Sequence, residues 1–431
     1  MNWKSVNHRS VLLLQLVIIA LYCPIPVSSI SIIIFLLHSF FNRNFFRNIR
    51  SHPHKGWVLL ALSFFAINAI SLLYSENLPD GLRRLETLQP FLWLPLIMAS
   101  IDIGVLRERR YTLINTFFWA SILAALVAIG TAVFHIVSTG SLYAPVNDDG
   151  IVVKEYYFTY LRLSRIIMHP GYLSLYMGIA IYLGYGLIRE QKLWFFSRRV
   201  GYGLLAFLLV FLFMLQGRMN LLAFGAITFI ALVVFLFRRA KPVRALAFSA
   251  ITIASLSVLF FVLPNDVTQR FTEFQSLNYQ MDAPVIHQFN GITIRLAEWH
   301  CAWDVIRENI LGGVGLGDAH DRLMSSYREN NFVVGLAREF NCHNQYLESW
   351  LGAGLPAVLV LLLLLMYALL QAYRQKNALL AMVVLYFFFS MLTESMLIRH
   401  KAVTLFNSLL TLLVFINGFN HKQQAVKEAE E

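Results

Sequence analysis

The chain has 431 residues, of which 58% are hydrophobic and 14% charged, whereas soluble domains carry nearer a quarter of charged residues. The composition excludes an ordinary soluble domain, and long apolar runs in place of short alternating ones exclude a β-barrel. The formal net charge of +11 falls in short basic clusters between apolar runs with no aromatic platform for bases, which argues against nucleic acid as a partner.

The N-terminus places Lys4, His8 and Arg9 before the apolar stretch Val11–Cys23. This resembles the front of a secretory signal, but Cys23-Pro24-Ile25-Pro26 is no small-x-small cleavage site, so the stretch reads as a membrane helix. Further apolar runs of about 20 residues, enough to cross a hydrocarbon core, follow along the chain. The expected fold is an all-α polytopic membrane protein with about twelve transmembrane helices. The crossings are expected at 11–23, 27–41, 57–74, 87–103, 111–137, 168–188, 200–216, 219–237, 245–263, 346–370, 378–396 and 402–418. The first two are either separate helices or one bent helix. Pro24 and Pro26 favour a break, because proline lacks the donor a helix interior requires.

With both termini inside, the inner segments hold 21 of the 35 Lys and Arg and 6 of the 24 Asp and Glu. The positive-inside rule supports that orientation. It puts outside the loop 138–167, the tight turn Gln216-Gly217-Arg218 and the long polar segment 264–343. The chain thus divides into membrane helices over 1–263, a large outer loop over 264–343, and membrane helices with a short inner tail over 344–431.

Within that loop Thr293–Glu308 places apolar residues at helical spacing: Ile294, Ala297, Cys301 and Val305, with Trp299, Ala302, Trp303 and Ile306 beside them. An amphipathic helix along the membrane surface is expected. The glycines from Gly312 to Gly317 end it in a flexible turn. They lack the following Lys-Ser/Thr of a phosphate-binding loop. Asp318–Arg338 is polar and of mixed structure. Cys301 and Cys342 share a side in this map and either pair there or remain free thiols. No Asp-x-Asp pair stands in the outer loops; Asp148-Asp149 lacks that spacing, so the expected chemistry uses neither metal nor cofactor.

The same map delivers Arg162, Arg165, His169, Arg218, Arg295 and His343 to one membrane face, with Tyr172, Trp299 and Asn344 close in sequence. Each has a bland reading. An interfacial arginine snorkels to headgroups, a helix arginine is solvated, and a histidine near a helix end is more often structural. Their common placement points further. Guanidinium groups offer rigid forks of donors to phosphate oxygens, and an imidazole takes up a proton near neutral pH. Glycosyl transfer from a lipid-linked diphosphate sugar needs both: cations for the departing diphosphate and a base for the attacking hydroxyl. A transporter for anionic lipids would instead concentrate ionisable residues at the bilayer midplane, and the crossings hold few.

Arg295 and Trp299, Leu311-Gly312-Gly313-Val314-Gly315-Leu316-Gly317, His343-Asn344-Gln345-Tyr346-Leu347 and Gly352-Ala353-Gly354-Leu355 together resemble the signature region of the O-antigen ligase and polymerase superfamily. Gln216-Gly217-Arg218 resembles that family's Ser-Arg element, with Gly217 in place of the serine. The resemblance spans roughly 165–396. It implies a bacterial inner-membrane protein with about twelve helices, one large periplasmic loop over 264–343, and an active site on the periplasmic side. It further implies a metal-independent, inverting glycosyltransferase that moves glycan from undecaprenyl diphosphate onto lipid A-core. The nearest rival is a polymerase that joins repeat units on the same lipid carrier; a non-catalytic assembly partner is a further alternative. Carried over, Arg218 and Arg295 hold the diphosphate and His343 activates or positions the acceptor hydroxyl. Arg162, Arg165, His169, Tyr172, Trp299 and Asn344 are the substrate-binding candidates.

Overall fold

A computed structural model of the chain describes residues 3–148, 151–239, 280–283 and 286–416. The expected crossing 245–263, the loop portion 264–279 and the tail after Ile416 lie outside the described residues.

The N-terminal apolar stretch forms two helices, α1 (Trp3–Ala20) and α2 (Ile25–Ser39), with Pro24 as the N-cap residue of the second. The break falls where proline removes a helix donor. A short helix α3 (Phe45–Ser51) leads to α4 (Lys55–Ile70), which a 3-10 turn extends to Tyr74. The expected crossing 87–103 is different in the structure. A polar amphipathic helix α5 (Leu78–Leu88) meets α6 (Pro90–Ser100) at Pro90. The 11 residues of α6, at about 1.5 Å each, are too short to cross alone. After α7 (Ile103–Glu108) comes the long α8 (Arg110–Thr139).

The expected loop 138–167 contains a hairpin, β1 (Tyr143–Asp148) and β2 (Ile151–Tyr156), with Tyr143 opposite Tyr156. A short α9 (Tyr160–Ser164) follows, then α10 (Pro170–Arg189), α11 (Arg198–Met214) and α12 (Arg218–Arg239). The polar segment holds α13 (Thr293–Glu308), α14 (Ala319–Glu329) and α15 (Val333–Ala337). The last described helices are α16 (Gln345–Arg374), α17 (Ala378–Met391) and α18 (His400–Phe415), which a π turn widens at Phe406–Leu410.

Among the described residues five helices are long and apolar enough to cross a membrane: Lys55–Tyr74, Arg110–Thr139, Pro170–Arg189, Arg218–Phe237 and Gln345–Arg374. Shorter apolar helices at Val6–Ala20, Ile25–Ser39, Ala378–Met391 and His400–Phe415 pack with them. The molecule is a multi-pass, almost wholly helical membrane protein.

Two cores hold it together. The large one lies between the apolar helices and includes Trp57, Phe91, Phe117, Tyr176, Phe211, Tyr386 and Phe406. The smaller one belongs to the polar segment. Ala297, Cys301, Ala302 and Ile306 of α13 meet Leu323, Met324 and Tyr327 of α14, together with Phe332, Cys342 and Leu351. The apolar face of α13 is therefore covered by its own segment and by the start of α16. Cys301 and Cys342 are both free and buried in this core. Burial pushes the Cys301 thiol up to about 12, which leaves it protonated and a poor nucleophile.

The expected flexible turn at the glycines is instead pinned on both sides. Pro356 has no N–H, so the Gly352 carbonyl lacks its helical donor. It accepts from Gly315 N at 2.9 Å, and the Leu351 carbonyl accepts from Val314 N at 2.8 Å. Leu355 N in turn donates to Ile310 O at 3.0 Å. This exchange opens α16 into a kink at Ala353 and Gly354, with Gly354 at φ +74°. On the other side the Tyr74 hydroxyl donates to Gly312 O at 2.5 Å, and Asp318 accepts from Glu76 N and Asn77 N at 2.8 and 2.7 Å. Gly56, at the other end of α4, lies against Tyr367 near the far end of α16. The two helices thus run antiparallel and separate the glycine loop from the basic cluster where Arg109 donates to His8.

Candidate functional site

Residues from four separated segments meet at the glycine-loop end of the bundle. The first is the turn before α12. Gln216 sits in the left-handed region at φ +49° and turns the chain so that Arg218 begins the helix. Two residues on, buried Asn220 donates to Gly171 O and accepts from Ser390 Oγ, both at 2.5 Å. These bonds tie the start of α12 to α10 and α17. A Cβ on Gly217 would overlap the Ser174 hydroxyl of α10. This gives a steric reason for glycine at a position where the resemblance expects serine.

The second segment is α13. Asn290 caps its start, its side-chain oxygen accepting from Ile292 N and Thr293 N at 2.9 Å each. Arg295 then donates from Nη1 to Gly291 O at 2.7 Å, from Nε to Thr393 O at 3.2 Å, and from Nη2 to Glu394 at 3.2 Å. The guanidinium nitrogens of Arg218 and Arg295 approach one spot. Nη1 of each lies 3.5 and 3.9 Å respectively from the place a Cβ on Gly291 would take. Two arginines 77 positions apart in sequence thus flank the same glycine.

One turn beyond Arg295, on the same face of α13, stands Glu298, only 1% exposed. Both its carboxylate oxygens lie 3.0 Å from His343 Nδ1. His343 itself holds the left-handed conformation at φ +41°, unusual for a residue with a side chain. Its N–H donates to Asn341 Oδ1 at 2.8 Å, and the next N–H, of Asn344, donates to Ser395 Oγ at 3.2 Å. The loop is therefore fixed on either side of the imidazole. The carboxylate accepts a hydrogen bond from Nδ1–H, which keeps the proton on Nδ1 and leaves Nε2 as the basic nitrogen. Among the described residues Nε2 has no protein partner, and the side chain is 25% exposed.

Burial works against a charged imidazole, but the hydrogen bond and charge of Glu298 more than offset it, so His343 is held above its ordinary 6.5. Burial likewise lifts the Glu298 carboxyl, with His343 and Arg295 opposing the rise. The pair as a unit retains a proton more strongly than an isolated imidazole does.

The other residues expected at this site are distributed as follows. His169 caps α10, its Nδ1 accepting from Gly171 N at 3.3 Å, and lies within electrostatic reach of Glu394, Arg399 and His343. Tyr172, one turn into α10, approaches Arg399 and Glu394. Trp299 is on α13, with its indole nitrogen buried and no acceptor in reach among the described residues. Asn344 caps α16, its side-chain oxygen accepting from Tyr346 N and Leu347 N at 2.9 and 3.2 Å. That oxygen is a structural cap. Arg162 is bound at 3.1 Å to Glu155 of the hairpin strand, and Arg165 is exposed just after α9. The described contacts bring neither of these two arginines to Gly291.

Four residues absent from the sequence reading belong to this cluster. Glu298 and Glu394 bind the imidazole and Arg295. Glu348, only 7% exposed, receives Arg84 at 3.1 Å and accepts from Cys342 N and Ser395 Oγ at 3.3 Å each. It fixes the loop before His343 to α5 and to the 393–395 turn. Arg399 is the fourth. The sequence carried a signal for Glu298: a carboxylate between Ala297 and Cys301, on the apolar side of an amphipathic helix, needs a buried partner.

The arrangement can hold an anion between guanidinium groups beside an oriented imidazole. Among the described residues no three His, Cys, Asp or Glu side chains converge in a metal-ligand set.

No curated relative matches the chain. A family model described as O-antigen ligase matches residues 203–362, a span that contains Arg218, Arg295, Glu298, the glycine loop, His343 and the kink of α16. Over that segment the chain is similar to the O-antigen ligase family.

Proposed function

We propose that this chain is a ligase-type glycosyltransferase that moves glycan from undecaprenyl diphosphate to lipid A-core or a similar acceptor. The proposed site lies on the periplasmic side of the inner membrane. The observation that carries the reading is the Glu298–His343 pair standing one helical turn from the guanidinium groups that flank Gly291.

In this reading the acceptor hydroxyl attacks the anomeric carbon while the carbon–oxygen bond to the diphosphate breaks. The bonding electrons leave with the diphosphate, and the hydroxyl proton passes to His343 Nε2. Glu298 steadies the imidazolium that forms. Arg218 and Arg295 meet the growing negative charge, each donor contributing roughly 2–4 kcal/mol in a partly dry site. Direct displacement of this kind inverts the anomeric centre. Proton transfer to the imidazole and charge neutralisation by guanidinium groups need no metal ion. The isoprenoid tail rests against the apolar helices and membrane lipid.

A polymerase of the same superfamily uses the same donor linkage and is the second reading, since the matched family segment serves either acceptor. Reconstituted full-length protein, given undecaprenyl-diphosphate-linked glycan with either lipid A-core or a second lipid-linked glycan, separates them. Transfer to lipid A-core is expected. Chain extension on the lipid carrier with no product on lipid A-core would replace the ligase reading by the polymerase reading.

A further inference from the structure

The arginines near this cluster differ in what they have left for a ligand. Of the five donor hydrogens of Arg295, three already point at Gly291 O, Thr393 O and Glu394. Its charge is balanced by Glu394 at 3.2 Å. The segment that supplies these acceptors continues to a further guanidinium, and it is held along its length. Ser395 Oγ accepts from Asn344 N, and Leu397 N donates to Gln345 Oε1 at 2.5 Å. Beyond it, Lys401 O accepts from the Tyr176 hydroxyl at 2.8 Å, and Lys401 Nζ donates to Ile167 O.

Arg399 lies between these anchors, so it stands where the starts of α16 and α10 face each other. It is exposed and makes no ion pair among the described residues. Its side chain hydrogen-bonds the Tyr172 hydroxyl, His169 and Tyr172 lie in its electrostatic range, and the neighbouring Glu394 is bonded to Arg295. An exposed arginine with donors left over, beside a phenol and an imidazole, suits phosphate oxygens. A diphosphate held there would lie near His169, which is itself within electrostatic reach of both Arg399 and His343.

We infer that Arg399, with Tyr172, is a further phosphate-binding residue for the lipid-linked diphosphate, beside Arg218 and Arg295. The inference rests on the proposed glycosyl-transfer reading and adds a residue outside the matched family segment.

The test is binding of undecaprenyl diphosphate and undecaprenyl monophosphate to the full chain in lipid nanodiscs. Wild type, Arg399→Gln, Arg399→Lys and a remote charge control, Arg374→Gln, are compared. Wild type is expected to prefer the diphosphate. Arg399→Gln is expected to weaken diphosphate binding about tenfold or more while monophosphate binding falls much less. Arg399→Lys restores part of the loss, because a point charge replaces the fork, and Arg374→Gln matches wild type. Diphosphate binding by Arg399→Gln at the wild-type level overturns the inference. Equal loss of both lipids in Arg399→Gln also overturns it, since that marks general attraction to the anionic surface. If Arg399→Gln is poorly folded, Arg399→Lys decides: a loss as large as for an absent cation, in a variant with wild-type melting, contradicts the charge role. Failure of wild type to prefer the diphosphate sinks the glycosyl-transfer reading itself, which keeps the two failures apart.

Discussion

In the proposed reaction, Glu298 is the residue that governs the chemistry of His343. Its carboxylate orients the imidazole through Nδ1 and raises the ring's proton affinity. A base must be deprotonated to act, so the acid limb of the transfer rate should lie above the ordinary imidazole value of 6.5. In Glu298→Gln the main raising influence is gone, and the lowering effect of burial remains. The limb should therefore move to lower pH, while the plateau rate falls roughly 10²–10⁴-fold through loss of orientation. A pH profile of transfer by the reconstituted variant checks both. An unmoved limb would mean that Glu298 does not govern the titrating group. Of this site, Arg218, Arg295 and His343 were legible in the sequence because short motifs and topology single them out. Glu298, Glu348, Glu394 and Arg399 were not, since each carries its partner 45 or more positions away or on another segment, and an isolated carboxylate reads as solvated. Asn344 was legible as a residue but not in its role; only the geometry exposes it as a helix cap.

At the scale of elements, the joint between the glycine loop and α16 sets where His343 stands. The loop carrying Gly313 and Gly315 donates to carbonyls that Pro356 and the kink release, so loop and helix start move as one body. The sequence showed the glycines but not their packing, because a glycine kept for close approach and one kept for mobility look alike. Gly354 combines φ +74° with a position where an added Cβ would overlap the Leu311 carbonyl. Gly354→Ala should cost at least about 1–3 kcal/mol of backbone strain beyond that overlap. It should lower both the melting temperature in detergent and the transfer rate. Unchanged melting would show that the joint tolerates a side chain and does not fix the loop. The short α6 and the kinked α16 were likewise hidden from hydropathy, which registers an apolar run but not a bend at Pro90 or Pro356.

Across the whole molecule, α4 and α16 run in opposite directions and hold two polar ends apart. One end carries the Glu298–His343 pair, Arg218, Arg295 and Arg399; the other carries Arg109 and its neighbours at His8. An apolar core joins them, and a second small core folds the polar segment over the first end. The membrane class of the chain was plain from composition, since long apolar runs with few charges have no other stable home. The tertiary meeting of α10, α12, α13 and the 393–401 segment was not, because no periodicity links segments that far apart. The measurement that bears most directly on the account is glycan transfer by reconstituted His343→Ala from an undecaprenyl-diphosphate-linked donor. Protein with normal insertion and melting, but transfer reduced about 10²-fold or more, is the expected result. Transfer within a fewfold of wild type would contradict the account.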